Sequence, residues 1–300
     1  MAPASDLGVV IATRDRRAQL LDALGRITTL AERPEVVVVD NGSADGTARA
    51  VRERFPGVRV ATLPRDRGAA ARNVGVEMLD TPYVAFSDDD SWWAPGGLAR
   101  AGDLLRGHPR VAVVAARVLV GEDERLDPTC AAMARSPLHG GDTGPGPAVL
   151  GFVACGAVVR REAFLAVGGF DERYGIGGEE ARLALALAVA GWELRYVAEV
   201  IAHHHPTPSP TRADRAAQVL RNDLWTAWSA RPLAASVRAT GRLLRAAGSG
   251  RVAARGLLGA VRGGAWILRE RRPAPPRVER ELRTLERAPA SGATGPRREA

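Results

Sequence analysis

The chain has 300 residues, 46% of them hydrophobic and with a net charge of +8, enough for one large α/β domain with an appendage. The charge is uneven: residues 211–300 carry 19 Arg against 7 acidic residues, so residues 1–210 are net acidic and offer no basic nucleic-acid-binding face. Two cysteines without CxxC or Cys/His ligand spacing exclude a disulfide scaffold and a structural zinc site, and no apolar run approaches the ~20 residues of a membrane-spanning helix, which sets the expected location as the cytoplasm.

Residues 7–12 form a short β-branched apolar run, a first strand with no basic leader before it. Residues 18–30 then space Leu20, Leu21, Leu24 and Ile27 at helical intervals. Residues 36–39 are a second strand ended by Asp40-Asn41-Gly42, a helix runs from about Gly46 to Phe55, and residues 58–63 give a third strand. Residues 69–79 are helical, and residues 83–86 form a fourth strand. Strands apolar on both faces and alternating with helices specify a mostly parallel sheet covered on two sides. Ligands of such sheets bind beyond the carboxyl ends of the strands, where Thr13, Asp40 and Asp88 all fall, so the three are expected to meet in one crevice.

Residues 111–120 add a strand, and residues 121–151 turn rich in Gly, Pro and charge, a long loop of the kind that lines a substrate site. Residues 152–159 resume strand character, residues 161–167 are a short helix, residues 179–190 a strong one, and residues 194–201 the last strand. Pro206, Pro208 and Pro210 stiffen the chain at a boundary.

The densest chemical signal is Asp88-Asp89-Asp90, directly after the fourth strand. Adjacent carboxylates repel and lose hydration at a strand end, so such a cluster needs a cation to stay ionised. Hard oxygen ligands suit Mg2+ or Mn2+, and Mg2+ binds through one or two carboxylates plus substrate phosphates. A solvated acidic turn is the alternative. On residue chemistry alone, the stretch from Asp40 to Thr47 is a turn with a helix cap, and Glu179-Glu180 are acids that favour a helix N-terminus.

The blocks Val9-Val10-Ile11-Ala12-Thr13-Arg14-Asp15-Arg16, Val38-Val39-Asp40-Asn41-Gly42-Ser43-Ala44-Asp45-Gly46-Thr47, Arg67-Gly68-Ala69-Ala70-Ala71-Arg72-Asn73-Val74-Gly75, Phe86 to Asp90 and Gly177-Gly178-Glu179-Glu180 stand in the order seen in family 2 glycosyltransferases. The chain resembles that family over about residues 7–205. The resemblance implies a GT-A (Rossmann-like) α/β fold and inverting transfer from a nucleotide-diphosphate sugar donor to a glycan, glycolipid or small-molecule acceptor. It also implies that Asp40 accepts a hydrogen bond from the base, with Thr13 beside base or ribose and Arg67 and Arg72 on the diphosphate side. Asp88 and Asp90 become the ends of the DxD motif that holds Mn2+ or Mg2+, with Asp88 also at the nucleotide. One of His203, His204 and His205 could join the metal or the diphosphate, since three consecutive side chains of an extended segment cannot all point the same way; His204 is named for the role, with the choice among the three left open. The general base falls on Glu180, where relatives carry Asp, or on Glu179; the extra methylene of Glu matters at the ~1 Å scale of attack geometry. Trp92 and Trp93 either stack on a sugar or pack the sheet edge.

Behind the catalytic domain (1–210), residues 211–272 read as a basic helical extension. Its Leu220, Leu224, Trp225 and Trp228 recur at helical spacing, and Val237, Leu257, Leu258, Val261, Ile267 and Leu268 follow among arginines. Such a segment serves a peripheral membrane contact or packs its stripe on the core. Residues 273–300, rich in Pro, Arg and Glu, read as a disordered tail. Two rival functions stand beside glycosyl transfer: a non-catalytic relative acting through its basic tail, and a sugar-phosphate nucleotidyltransferase. The second is disfavoured because Thr13-Arg14-Asp15-Arg16 is not a Gly-rich loop.

Overall fold

The computed structural model describes residues 6–138, 144–207, 212–248 and 250–288. In chain order the elements are β1 (Leu7–Thr13), α1 (Arg17–Ile27), β2 (Glu35–Asp40), α2 (Thr47–Arg54), β3 (Arg59–Thr62), α3 (Ala71–Met78), β4 (Tyr83–Ser87), β5 (Ser91–Trp93), α4 (Gly97–Gly107) and β6 (Val111–Val120). They continue with β7 (Arg125–Leu126), α5 (Pro128–Ala134), β8 (Ala157–Arg160), α6 (Arg161–Ala166), α7 (Glu179–Val189), β9 (Glu193–His204), α8 (Arg212–Ala230), α9 (Leu233–Ala247), α10 (Arg251–Arg262), α11 (Gly264–Glu270) and α12 (Pro276–Arg287).

One sheet runs β3-β2-β1-β4-β8-β6-β9-β5, with β7 on the side of β6. β1 pairs in parallel with β2 and β4, in a register that sets Thr13 opposite Asp40. β6 is parallel to β9, whereas β8 runs antiparallel to both β4 and β6. The parallel arrangement expected from the strand–helix alternation therefore holds for the first half, and β8 reverses it. The reason is topological: the excursion after β6 returns at the carboxyl end of the sheet, so the next strand must start there and run back.

The alternation of side chains along β1 and β2 divides the core into two layers. Val10, Val37 and Val39 meet Val76 of α3 and Leu183 and Leu187 of α7, while Val9, Ile11, Val36 and Val38 meet Leu20 and Leu24 of α1 and Leu98 and Leu105 of α4. Gly75 lets α3 ride close on β1, since a Cβ there would lie 2.5 Å from Val10 Cγ1.

Two expectations need correction. Residues 121–151 are not one structureless loop: β7 and α5 lie inside, α5 being started by Asp127, whose carboxylate accepts from Thr129 N at 2.7 Å, with Pro128 in its first turn. Residues 139–143 of that stretch lie outside the described residues. The tail from residue 273 is likewise not disordered up to residue 288, because α12 buries Val278 completely beside Ala188, Ala230 and Ala274. Its charged residues looked disordered in sequence because their partners are remote: Glu279 meets the buried Arg231 guanidinium at 3.0 Å. Residues 289–300, and residues 208–211 at the expected boundary, lie outside the described residues. Among the described residues no helix is long and apolar enough to cross a membrane.

Candidate active site

The carboxyl ends of β1 and β4, the start of α7 and the end of β9 enclose a cleft of about 410 Å³. Its floor is the acidic triplet, held in a tight turn in which Asp88 N donates to Ser91 Oγ at 2.7 Å. Thr13 Oγ1 donates to Asp89 Oδ2 at 2.8 Å, and Arg16 places Nε 2.8 Å from Asp89 Oδ1 while its other end pairs with Asp90. Burial pushes the Asp89 carboxyl up to about 7, although Arg16 and Thr13 pull the other way. Burial also raises Asp90, but the hydrogen bond to His204 and the charge of Arg16 prevail and hold it below the ordinary aspartate range. His204 Nε2 lies 3.3 Å from Asp90 Oδ1, and that contact raises the imidazole against the effect of burial.

Arg72, in the first turn of α3, is ion-paired with Asp88. Burial disfavours its charge, but Asp88, Glu179 and Glu180 more than restore it, and its Nε has no protein partner. An unpaired guanidinium N–H on a side chain that lines a polar cleft fits an anionic ligand.

The other wall is built by a glycine turn. Gly175, Gly177 and Gly178 all have positive φ and feed α7, whose first residues are Glu179 and Glu180. Ala69 N ties the turn by donating to Gly175 O at 2.9 Å, and Asn222 of α8 donates to Tyr174 O at 2.8 Å and also to Gly177 O. Glu179 is 4% exposed with Oε2 unpartnered. Burial first, and then the neighbouring Glu179 charge, push Glu180 up to about 7.

Of the residues singled out in sequence, Thr13, Arg72, Asp88, Asp90, Glu179, Glu180 and His204 line this cleft. Asp40 and Arg67 do not. The Asp40 carboxylate accepts from Ser43 N at 2.8 Å, the turn that its sequence neighbours also specify. Arg67 is drawn away by Glu172, its Nε 2.9 Å from Oε2, and lines a separate cavity. The strand alternation at the end of β9 sends His204 inward and His203 outward, where it stacks on Trp92 at 5.5 Å; His205 meets the same ring at 4.7 Å. Trp92 also carries Arg26 on its face, and Trp93 is in the core, so neither indole enters the cleft.

The donor set suits a divalent metal in a way the DxD reading did not foresee. Among the described residues the group whose ligand atoms all lie within 4.8 Å of one another is Asp88, Cys155 and His204. Asp90 is not in that group; it is ion-paired with Arg16 and meets His204. Cys155 carried no signal in sequence, being a lone cysteine in an apolar run, and Arg16 was quoted without a role although it holds two of the three carboxylates.

Residues 8–168 match the family described as Glycosyl transferase family 2. The chain belongs to glycosyl transferase family 2. Among relatives of this family 2 enzyme is an N-acetylglucosaminyl-diphospho-decaprenol L-rhamnosyltransferase of Mycobacterium tuberculosis, 28% identical over a 242-residue alignment that covers 69% of this chain and 78% of that one. A pre-mycofactocin glycosyltransferase of the same species is 34% identical over a 215-residue alignment that covers 67% of this chain and 43% of the relative. The fold is also that of a mannosyltransferase from Pyrobaculum calidifontis solved with GDP-Man and Mn2+, with a TM-score of 0.57, 19% identity, and coverage of 95% of this chain and 87% of that one. This family 2 protein is therefore a glycosyltransferase of GT-A fold.

Proposed function

We propose that the protein transfers a sugar from a nucleoside-diphosphate sugar to an acceptor hydroxyl with inversion, using Glu180 as general base and a divalent metal at the Asp88 and His204 end of the cleft. The observation that carries this reading is the pairing, in one cleft, of a carboxylate raised to about 7 with an Arg and Asp cluster containing an unpaired guanidinium N–H. A base with a pKa near neutrality both accepts a proton well and is available at working pH. Glu180 takes the acceptor hydroxyl proton onto its carboxylate, and Glu179, sharing the buried helix start, keeps it basic. Arg72 and Arg16 meet the negative charge of the diphosphate, and Thr13 bounds the nucleoside side. A divalent ion, when bound, stabilises the departing diphosphate as a Lewis acid. The mannosyltransferase with GDP-Man and Mn2+ supports both the donor class and the metal. Proton NMR of the product tests inversion directly: an anomeric configuration opposite to that of the donor sugar is expected, and a retained one contradicts the role of Glu180.

The acceptor is best read as lipid-linked, with α9 to α11 resting on an anionic membrane. Residues 232–269 hold seven Arg and no carboxylate. On the same helices Leu233, Val237, Leu258, Val261 and Leu268 are exposed, the last two at 74% and 71%, and an apolar cleft of about 310 Å³ opens among Leu224, Trp225, Leu257 and Val261. An apolar surface framed by an excess of arginines, of which Arg242 meets Glu286 and Arg269 meets Glu270, suits acyl chains below anionic headgroups. α8 answers the packing alternative for its own stripe, since Leu220, Leu224 and Trp225 are buried.

A further inference from the structure

We infer that Cys155 is a metal ligand, completing with Asp88 and His204 a mixed sulfur, oxygen and nitrogen site that selects a transition-metal ion over Mg2+. The inference rests on the reading that this cleft holds a divalent metal.

Cys155 lies in the short 3-10 turn Ala154–Gly156 that opens β8. The backbone there is pinned, because Gly156 lies so close to β6 that a Cβ on it would fall 2.4 Å from Val118 Cγ2. The residue is 1% exposed yet lines the cleft, so its thiol is shielded from bulk water and still faces the site. Cys130 shows the contrast: its Sγ accepts from Val118 N at 3.3 Å and donates to Ala116 O at 3.4 Å. Among the described residues Cys155 has no such partner.

The donor atoms of Asp88, Cys155 and His204 lie within 4.8 Å of one another. Tetrahedral bonds of ~2.3 Å to sulfur and ~2.0–2.2 Å to nitrogen and oxygen set donors ~3.5 Å apart, so side-chain adjustments of about 1 Å close the site. Asp90 then acts as the carboxylate that orients a ligating imidazole through its hydrogen bond to His204. Without a cation, burial holds the thiol protonated, and binding of the ion releases that proton to solvent. Mg2+ takes oxygen ligands in a rigid octahedron and gains nothing from a thiolate, whereas softer first-row ions do.

Cobalt reads the thiolate directly. Co2+ is added to the full chain while equilibrium dialysis measures binding and near-ultraviolet absorption reports thiolate-to-metal charge transfer. Bound Co2+ with such a band is expected in the wild type and in Cys130→Ser, in which Cys155 is the one remaining thiol. Cys155→Ser, checked for folding by circular dichroism, is expected to lose the band and at least the ~10–100-fold in Co2+ affinity that even supporting partners of a metal contribute, with Mg2+ affinity unchanged. Bound Co2+ without a band, or equal Co2+ affinity in Cys155→Ser, overturns the inference and leaves the metal-dependent reading standing. No binding of Co2+ overturns the inference as well, and the metal-dependent reading is then decided by whether a nucleoside diphosphate with Mn2+ or Mg2+ stabilises the protein.

Discussion

Arg72 and Asp88 are ion-paired across the cleft floor, one from the first turn of α3 and the other from the end of β4. The guanidinium is nearly buried and keeps Nε for a ligand. Arg72→Met removes the charge while keeping much of the bulk. Hydrogen bonds to charged groups contribute ~1.5–3 kcal/mol, so nucleoside diphosphate affinity should fall about 10–100-fold in titration calorimetry. Unchanged affinity removes Arg72 from the diphosphate side.

Glu180 sets the pH dependence. The base must be unprotonated, and its carboxyl is pushed up to about 7, so kcat/KM should fall as pH drops through that value and level off above it. In Glu180→Gln the donor should still bind while kcat falls ~10²–10⁴-fold. An acid limb near the ordinary glutamate value of 4.5 in the wild type contradicts this assignment.

Arg231 and Glu279 fasten α12, with side chains only 8% and 6% exposed. Burial raises the Glu279 carboxyl, but Arg231 and Arg283 outweigh it and the pKa lies below its ordinary 4.5. The pair's stabilisation is therefore present above that ordinary value and lost as pH falls through the lower folded one. Glu279→Ala leaves the buried Arg231 guanidinium with Glu286 alone, so it should cost up to the ~3–5 kcal/mol of a broken buried pair in denaturant unfolding, whereas Arg231→Met combined with Glu279→Leu should cost far less. Equal losses in the two variants refute the pairing as the source of the stability.

Much of this was legible in sequence because it is local. The β1 and β4 apolar runs, the acids that terminate β4 and the glycines before Glu179 each report on their own backbone, and together they located the cleft. The diversion of Arg67 was not legible, since Glu172 is remote in sequence and competes for it only after folding. The reversal of β8 was hidden because an apolar run carries no direction. The α12 segment was read as disordered because the arginine that buries Glu279, Arg231 in the turn between α8 and α9, is remote in sequence.

The surface of α9 to α11 makes a separate prediction. The protein should sediment with vesicles containing anionic lipid, weakly or not at all with neutral ones, and less as salt rises. Val261→Asp combined with Leu268→Asp, both at highly exposed positions, should abolish sedimentation without lowering thermal stability. Equal binding to neutral and anionic vesicles contradicts the role of the arginines.

The most direct test of a metal-assisted nucleotide-sugar site is a thermal-shift screen of nucleoside diphosphates and their sugars with Mn2+, with Co2+, with Mg2+ and with chelator. A ligand that binds the native state alone raises the melting temperature by mass action, by ~2.7 kcal/mol of stability at a hundredfold excess over Kd. One nucleotide should stabilise the protein when a divalent ion is present and lose that effect with chelator. A folded protein that shifts with none of them, or equally with and without chelator, contradicts the metal-dependent donor site.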